Sequence, residues 1–226
     1  KTDQLSIINQ FSSSLLQLNT LEALFSYVTT QVVNRLGFVD CVIYLADDSQ
    51  SLLNQVASMG IESEHISYQS ERKIIRFSEG ITGYAASTGQ ALIIGDVNKD
   101  SRYIADERPA QSEICVPLIY KDRVLGVIDC EHPIKNYFTS SHLEILTTVA
   151  HLLSAKINQV NTVNSLQDTV MQLNNAQKLE SSLLQIANLT YKAQNLDTFF
   201  KSLHVIIDSL LTASNFFIAL YDKKED

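Results

Sequence analysis

The sequence has few of the features that mark membrane-spanning, secreted or nucleic-acid-binding segments. It contains no run of 18 uncharged apolar residues, which excludes a transmembrane helix within the segment. The first residues soon give way to the polar stretch 12–14, so we expect no secretory signal. Seventeen basic residues stand against 25 acidic ones, for a net charge of −8. A surface of this sign repels phosphate backbones and anionic lipid, so we expect neither nucleic acid nor a membrane as a partner.

Cysteine is scarce in this chain. Cys41, Cys115 and Cys130 are odd in number and far apart in sequence, so a disulfide framework is not expected. This usage is typical of a reducing compartment, and we predict a cytoplasmic location. Each cysteine lies in a short apolar run of strand character, which favours a buried thiol that packs as a small hydrophobic side chain.

Glycine and proline are also scarce, and their positions divide the chain. There are seven Gly and three Pro, of which the last are Gly126 and Pro133. Because both residue types interrupt helices, residues 134–226 are predicted to be mostly helical. The part of the chain before Pro133 has a mixed pattern.

The first half alternates between helical and strand patterns. Apolar residues at three- and four-residue steps predict a helix over residues 5–36, which Gly37 ends. Short apolar runs between turn residues predict one hairpin after this helix and another whose turn is Lys121-Asp122. Together these elements predict an α+β domain over residues 1–158, with a central antiparallel sheet and flanking helices.

A repeat with an offset of 175 residues organises the rest of the chain. Residues 21–25 return at 196–200, and residues 40–47 return at 215–222 without a gap. The tail therefore resembles the opening helix and first strand of a second copy, which we place at residues 183–226. We expect the chain to be a fragment of a longer protein.

A helix is predicted between the two copies, beginning near His142 behind a cap at Thr139. Its apolar residues recur at three- and four-residue steps, with phase shifts at the steps 160→163 and 173→176. Only part of so long a helix can pack on one small sheet. We therefore expect a coiled-coil-like connector over residues 159–182 that pairs with its counterpart in a homodimer. Packing of the helix on its own domain is the alternative.

The motifs of common enzyme classes are missing. The sequence has no G-x-S-x-G elbow, no G-x-x-x-x-G-K-[ST] loop and no H-E-x-x-H pair. Gly80 and Gly83 could offer backbone N–H groups to an anion, but no lysine follows them, which favours a structural turn. Cys130, Glu131 and His132 could each bind a metal, but adjacent strand residues point to opposite faces, so no metal site is predicted.

One part of the sequence carries the pattern of a known family. The residues that carry it are Gly80–Gly89, Asp96–Tyr103, Ser112–Leu118, Gly126–Asp129 and Phe138. In this order they resemble GAF domains, and the resemblance covers roughly residues 5–158 without large gaps. It implies a GAF-like antiparallel sheet with a pocket on one face. The roof of that pocket would be the middle helix and a polar gate loop, residues 96–109.

The resemblance also implies a small-molecule ligand. We expect Asp96 and Tyr103 to point into the pocket from the gate loop, and Glu113 and Asp129 to do so from two neighbouring strands. Ionised carboxylates only accept hydrogen bonds, so a ligand with an amine or several hydroxyl groups would suit the site. A turn role for Asp96 and structural hydrogen bonds for Glu113 and Asp129 are the alternatives. No haem-ligand pair and no bilin-attachment motif is evident, so the cofactor is unknown.

Two GAF subfamilies offer alternative functions. Cyclic-nucleotide-binding members carry an N-K…F-x-x-x-D-E signature, to which residues 98–107 are similar in a compressed form. Free methionine-(R)-sulfoxide reductases carry Ser-Glu-Ile and Gly-Val-Leu-Asp patterns that resemble residues 112–114 and 126–129. In those enzymes a cysteine nucleophile lies just upstream of Ser-Glu-Ile. Here Cys115 follows Glu113 instead, so we expect no nucleophile at the gate.

We therefore interpret the chain as a regulatory small-molecule-sensing segment of a bacterial signal-transduction protein and not as an enzyme. The ligand state would pass through the dimeric helix to an output domain beyond Asp226. The family resemblance implies a histidine kinase or a diguanylate cyclase as that output. A ligand-free dimerisation module is the competing interpretation.

Overall fold

The computed structural model describes residues 2–60, 73–105, 110–192 and 195–211. The chain divides into two units, Lys1–Thr162 and Val163–Asp226. The domain boundaries predicted at residues 158 and 182 stay predictions. The end of the gate loop, residues 106–109, and the strand expected at 215–222 lie outside the described residues.

An antiparallel six-stranded sheet forms the centre of the first unit, as predicted. The hairpin turn at Lys121-Asp122 is confirmed, with Lys121 in the left-handed region at φ 54°. Side chains alternate between the two faces of the sheet, and this alternation separates the two cores described below. In the order of their pairing, the strands are β3 (Ile74–Arg76), β2 (Leu52–Gly60), β1 (Asp40–Ala46), β6 (Arg123–His132), β5 (Ser112–Tyr120) and β4 (Leu92–Ile94).

Helices cover both faces of this sheet. Three helices pack on one face: α1 (Thr2–Gln17), α2 (Leu21–Leu36) and the first part of α4 (Ser140–Lys192). The short helix α3 (Gly80–Thr88) packs on the other face with a smaller apolar cluster. The larger core includes Phe11, Leu24, Ile43, Leu118, Ile128 and Leu153, all fully buried.

The single helix predicted over residues 5–36 is wrong, because the chain forms two helices there with a break at residues 18–20. Thr20 has an extended backbone, and its side-chain oxygen accepts a hydrogen bond from the N–H of Ala23 at 3.3 Å. Such a cap satisfies a backbone donor at the start of a new helix. The apolar spacing continues across the break because both helices face the same core. The predicted end at Gly37 is confirmed, with φ +71°.

The long helix α4 runs without interruption for 53 residues. It begins at Ser140, close to the predicted start, and the Thr139 hydroxyl accepts a hydrogen bond from the N–H of His142 at 3.3 Å. In the described residues, no helix combines the length and the apolar character needed to cross a bilayer.

The helix α5 (Leu196–Leu211) supports the helical part of the repeat. It has 16 residues, as α2 has, and both begin at leucines related by the 175-residue offset. Asn195 stands where Thr20 stands in the first copy, and its side chain accepts a hydrogen bond from the N–H of Thr198 at 2.9 Å. The two helices therefore share their length and their manner of capping.

Candidate functional site

A cavity of about 270 Å³ lies on the side of the sheet that α3 covers. The start of α3, the residues around β3, the gate loop up to Ala105 and the strands β1, β5 and β6 form its walls. Three of the four predicted ligand-binding residues line it: Tyr103, Glu113 and Asp129. The other polar side chains in the wall are Tyr44, Lys73, Glu79, Thr82 and Glu131.

The register of β5 and β6 brings the acidic side chains together. Glu113 lies opposite Glu131, and Cys115 lies opposite Asp129. Residues two apart on a strand share a face of the sheet, so all four side chains are on the cavity side. The sequence prediction placed Glu113 and Asp129 on neighbouring strands, and the structure shows that these strands are paired directly.

The Cys115 thiol connects the two buried carboxyl groups. Its Sγ lies 3.0 Å from Oε1 of Glu113 and 3.3 Å from Oδ1 of Asp129. A thiol has one hydrogen, so it donates to one of these carboxyl groups at a time. Burial raises the pKa of Cys115 well above its usual value, and the two carboxylates raise it further. Cys115 therefore remains a protonated thiol at neutral pH.

Burial is also the main cause of the raised pKa values of Glu113 and Asp129. For Glu113, the charge of Asp129 raises the pKa further. For Asp129, hydrogen bonds from Cys115 and Thr82 oppose the effect of burial. The Thr82 hydroxyl donates to Oδ2 of Asp129 at 3.0 Å and so ties α3 to β6.

Two glycines allow α3 to lie close to the sheet. A Cβ on Gly83 would fall 2.3 Å from the carbonyl oxygen of Arg76 on β3, so no larger residue fits there. Gly80 has φ +70°, a conformation that glycine adopts without strain. These contacts support the structural interpretation of both glycines.

Asp96 is not among the residues that line the cavity. Its Oδ2 lies 2.9 Å from Nζ of Lys135 and 3.7 Å from Nζ of Lys99, and the hydrogen bond from Lys135 lowers the pKa of this carboxyl group. Asp96 thus joins the gate loop to the segment after β6. We leave it out of the proposed ligand site.

Tyr103 has two roles at the cavity. It belongs to the cavity wall, and its hydroxyl oxygen accepts a hydrogen bond from the N–H of Ala110 at 2.9 Å. This contact joins the described part of the gate loop to the residue that follows the loop. Pro109, at the end of the gate loop, lies outside the described residues.

Sequence reasoning missed Thr82, Cys115 and Glu131 as members of the site. Cys115 is not expected at the site from the sequence because it follows Glu113 along the chain. Order along a strand, however, does not decide which face of the sheet a side chain occupies. The alternation of side chains along a strand could have revealed two of them, since Cys115 and Glu131 each stand two residues from a predicted site residue and so share its face. Thr82 comes from a separate element, and no sequence pattern places it beside Asp129.

The same cluster has the donor types of a metal site. Glu113, Cys115 and Asp129 each offer one ligand atom, and these atoms all lie within 4.8 Å of one another. Thiolate and carboxylate groups are ligands for zinc. Binding would first require removal of the thiol proton, which burial opposes. The sequence-based prediction of no metal ligand stays a prediction.

Comparison with known families identifies the fold. Residues 19–158, more than half of the chain, match the GAF domain family. The chain belongs to the GAF domain family. The resemblance read from residues 80–138 is therefore confirmed.

Among the curated relatives, two match this chain over short stretches. Protein YtsP of Bacillus subtilis is 34% identical over 85 residues, which are 38% of this chain and 52% of that protein. The free methionine-R-sulfoxide reductase of Saccharomyces cerevisiae is 39% identical over 83 residues, which are 36% of this chain and 46% of that enzyme. The chain spans about half the length of these relatives.

A solved structure shares the GAF fold. The free methionine-R-sulfoxide reductase of Neisseria meningitidis, in complex with its substrate, aligns with a TM-score of 0.63 and 21% identity. The alignment covers 71% of this chain and 91% of that enzyme. The two reductases contradict the sequence-based expectation that this GAF segment is not an enzyme, because enzymes stand among its relatives in sequence and in fold.

Proposed function

We propose that the cavity binds a small molecule with an ammonium group and that the GAF domain is a sensory module. The charge balance of the wall carries this proposal. Among the described lining residues there are four carboxyl groups, those of Glu79, Glu113, Asp129 and Glu131, against the single ammonium group of Lys73. A cationic ligand group with several N–H donors would favour the ionised forms of Glu113 and Asp129, whose pKa values burial raises, because ionised carboxylates accept hydrogen bonds from such donors.

The size of the cavity favours a ligand of amino-acid size. Pockets for drug-sized ligands measure about 300–1,000 Å³, and this cavity of about 270 Å³ lies just below that range. A cyclic nucleotide would need more room and would bring a phosphate anion to an acidic wall. The names of the reductase relatives agree with the proposed class, since free methionine-R-sulfoxide is an amino acid.

The position of the site supports a path for the signal. Asp129 lies on β6, and α4 is the next helix along the chain after β6 ends at His132. A ligand that binds one arrangement of Asp129 and Thr82 more tightly would shift the population of the domain toward that arrangement. The expected histidine kinase or diguanylate cyclase output stays a prediction.

Binding can be tested by calorimetry with free amino acids, including methionine and methionine-R-sulfoxide. We expect at least one of them to bind the 226-residue chain. Asp129→Asn should weaken that binding about 10- to 150-fold, the usual effect of losing a charge-assisted hydrogen bond. Asp96→Asn is the matched control and should leave the affinity unchanged. Failure of the wild-type chain to bind any of them would contradict the proposed ligand class.

A second candidate function is reduction of free methionine-R-sulfoxide with Cys115 as the nucleophile. The observation behind it is that the thiol lies within hydrogen-bonding distance of two carboxyl groups. One of them would have to accept the thiol proton during the attack, because burial and the carboxylates hold the pKa of Cys115 high. The Cys115 sulfur would attack the sulfoxide sulfur and take its oxygen as a sulfenic acid, releasing free methionine. A small dithiol would condense with the sulfenic acid, release water and free Cys115 as it closes to a disulfide.

Turnover of methionine-R-sulfoxide with a dithiol reductant tests this candidate. The candidate predicts release of methionine by the wild-type chain and loss of that activity in Cys115→Ser. Cys130→Ser is the control, because Cys130 lies in the core on the other face of the sheet. Activity that survives Cys115→Ser, or a wild-type chain without turnover, would exclude Cys115 as the nucleophile.

A further inference from the structure

The exposed side of α4 in the second unit carries a continuous apolar seam. Leu166 and Leu173 are 62% and 57% exposed, and Val163 and Val170 are nearly half exposed. After the phase shift at 173→176, the seam goes on to Leu179 and Leu183, which are also exposed. A row of large apolar side chains of this length in water marks an interaction surface. We propose that residues 163–183 pair with the same residues of a second copy as a parallel, two-stranded coiled coil.

The identity of the seam residues favours two parallel strands. Val163, Leu166, Val170 and Leu173 alternate at steps of three and four residues, as positions a and d of a heptad do. The β-branched residue is at position a and leucine is at position d in both heptads. This choice favours parallel dimers over trimers and tetramers.

The charge pattern favours a second copy as the occupant. The positions that flank these two heptads, which usually carry the charges that select a partner, hold the uncharged residues Gln167, Thr169 and Asn174. Asp168 is the only charged residue between positions 163 and 177, and it lies on the opposite side of the helix from the seam. Recognition thus depends on the apolar seam alone. Over residues 163–177, identical seams in register complement one another without a like-charge contact.

A groove on the same helix matches the packing of a coiled coil. It has a volume of about 380 Å³ and lies among residues 166–175, with Leu166, Val170 and Met171 in its wall. In a two-stranded coiled coil, each a or d side chain enters a hole formed by four residues of the facing helix. In a parallel pair in register, Leu166 of the second copy would face Leu166, Gln167 and Val170 of the groove and has the size to fill the hole between them.

The mass of the full 226-residue chain in solution tests the pairing. We expect twice 25.3 kDa for the wild-type chain at micromolar concentration. Val170→Asp places a charge in the seam and should raise the dissociation constant at least about 100-fold, giving monomers. Ser165→Asp adds the same charge on the same helix away from the seam and should leave the dimer intact. A monomeric wild-type chain, or a Val170→Asp variant that remains a dimer, would overturn the proposal.

Disulfide cross-linking tests the parallel register. Leu173→Cys places a thiol next to its own counterpart only if the two helices are parallel and in register, so mild oxidation should give a covalent dimer. Ser165→Cys should give none, and the three native thiols are fully buried. A dimer in which Leu173→Cys fails to cross-link would overturn the parallel arrangement.

Discussion

Cys115 and Asp129 lie directly opposite each other on paired strands, with Sγ of the cysteine 3.3 Å from Oδ1 of the aspartate. Glu113 contacts the same thiol, so a single hydrogen is shared between two buried carboxyl groups. The charge on one carboxyl group changes the pKa of the other, so the two groups titrate together rather than separately. The stability of the domain should therefore depend on pH through this cluster.

We expect Glu113→Gln to gain stability relative to the wild-type chain as the pH rises from 5 to 8. The folded-state pKa of Glu113 is raised, mainly by burial, so its contribution to stability is present at low pH and is lost as pH rises through that pKa. The charges of Asp129 and Glu131 raise the pKa of Glu113 further, and the hydrogen bond from Cys115 lowers it; Lys73 lowers the pKa of the neighbouring Asp129. Urea unfolding at pH 5 and pH 8 measures the effect.

Two features make this pH experiment specific. Glu144→Gln, at an exposed position of α4, should show the same pH dependence as the wild-type chain. Burial lowers the pKa values of His132 and His142, so their contribution is lost as pH falls through and below their usual range; it is common to both chains and cancels in the difference. An unchanged pH dependence in Glu113→Gln would refute the shared-proton cluster.

Thr82→Val should destabilise the domain by about 1–3 kcal/mol, because Asp129 loses a buried hydrogen bond while the volume of the side chain is retained. Thr82→Ser keeps the hydroxyl and should lose less. Chemical unfolding at pH 7 compares the two variants. A loss in Thr82→Ser with none in Thr82→Val would show that the methyl group of Thr82, and not its hydroxyl, is what matters.

Thr20→Ala should reduce stability by about 0.5–2 kcal/mol, since the start of α2 loses its cap. Thr20→Ser keeps a capping oxygen and serves as the control. The melting temperature of each variant is the measurement. If alanine and serine behave alike, the break between α1 and α2 does not depend on this cap.

Deleting residues 194–226 should leave the melting temperature of the first unit within about 4 °C, which corresponds to about 1 kcal/mol. The reason is that the larger core of that unit is built from residues between Phe11 and Val160. Calorimetry on the shortened chain gives the answer. A collapse of the first transition would show that the tail is integral to the domain.

The sequence predicted the sheet well, because its strands carry a clear period of two between distinct turns. Strand β1 has the predicted bounds Asp40–Ala46, and Glu113 and Asp129 were expected on neighbouring strands. What the sequence did not reveal depends on contacts between distant segments. The salt bridge of Asp96 to Lys135 spans 39 positions, and the hydrogen bond of Thr82 to Asp129 spans 47. No local pattern encodes either pair.

Because side chains alternate across the sheet, the domain has at least one cysteine thiol on each face of the sheet. Cys41 and Cys130 are enclosed between the strands and the larger helical layer, whereas Cys115 lies beneath the cavity. A thiol reagent that enters the cavity when α3 moves away from the sheet would modify Cys115 first. Reaction at Cys41 and Cys130 would wait for the opening of the main core. The ratio of the modification rate of Cys115 to that of Cys41 and Cys130 would therefore distinguish local opening of the cavity from unfolding of the whole domain.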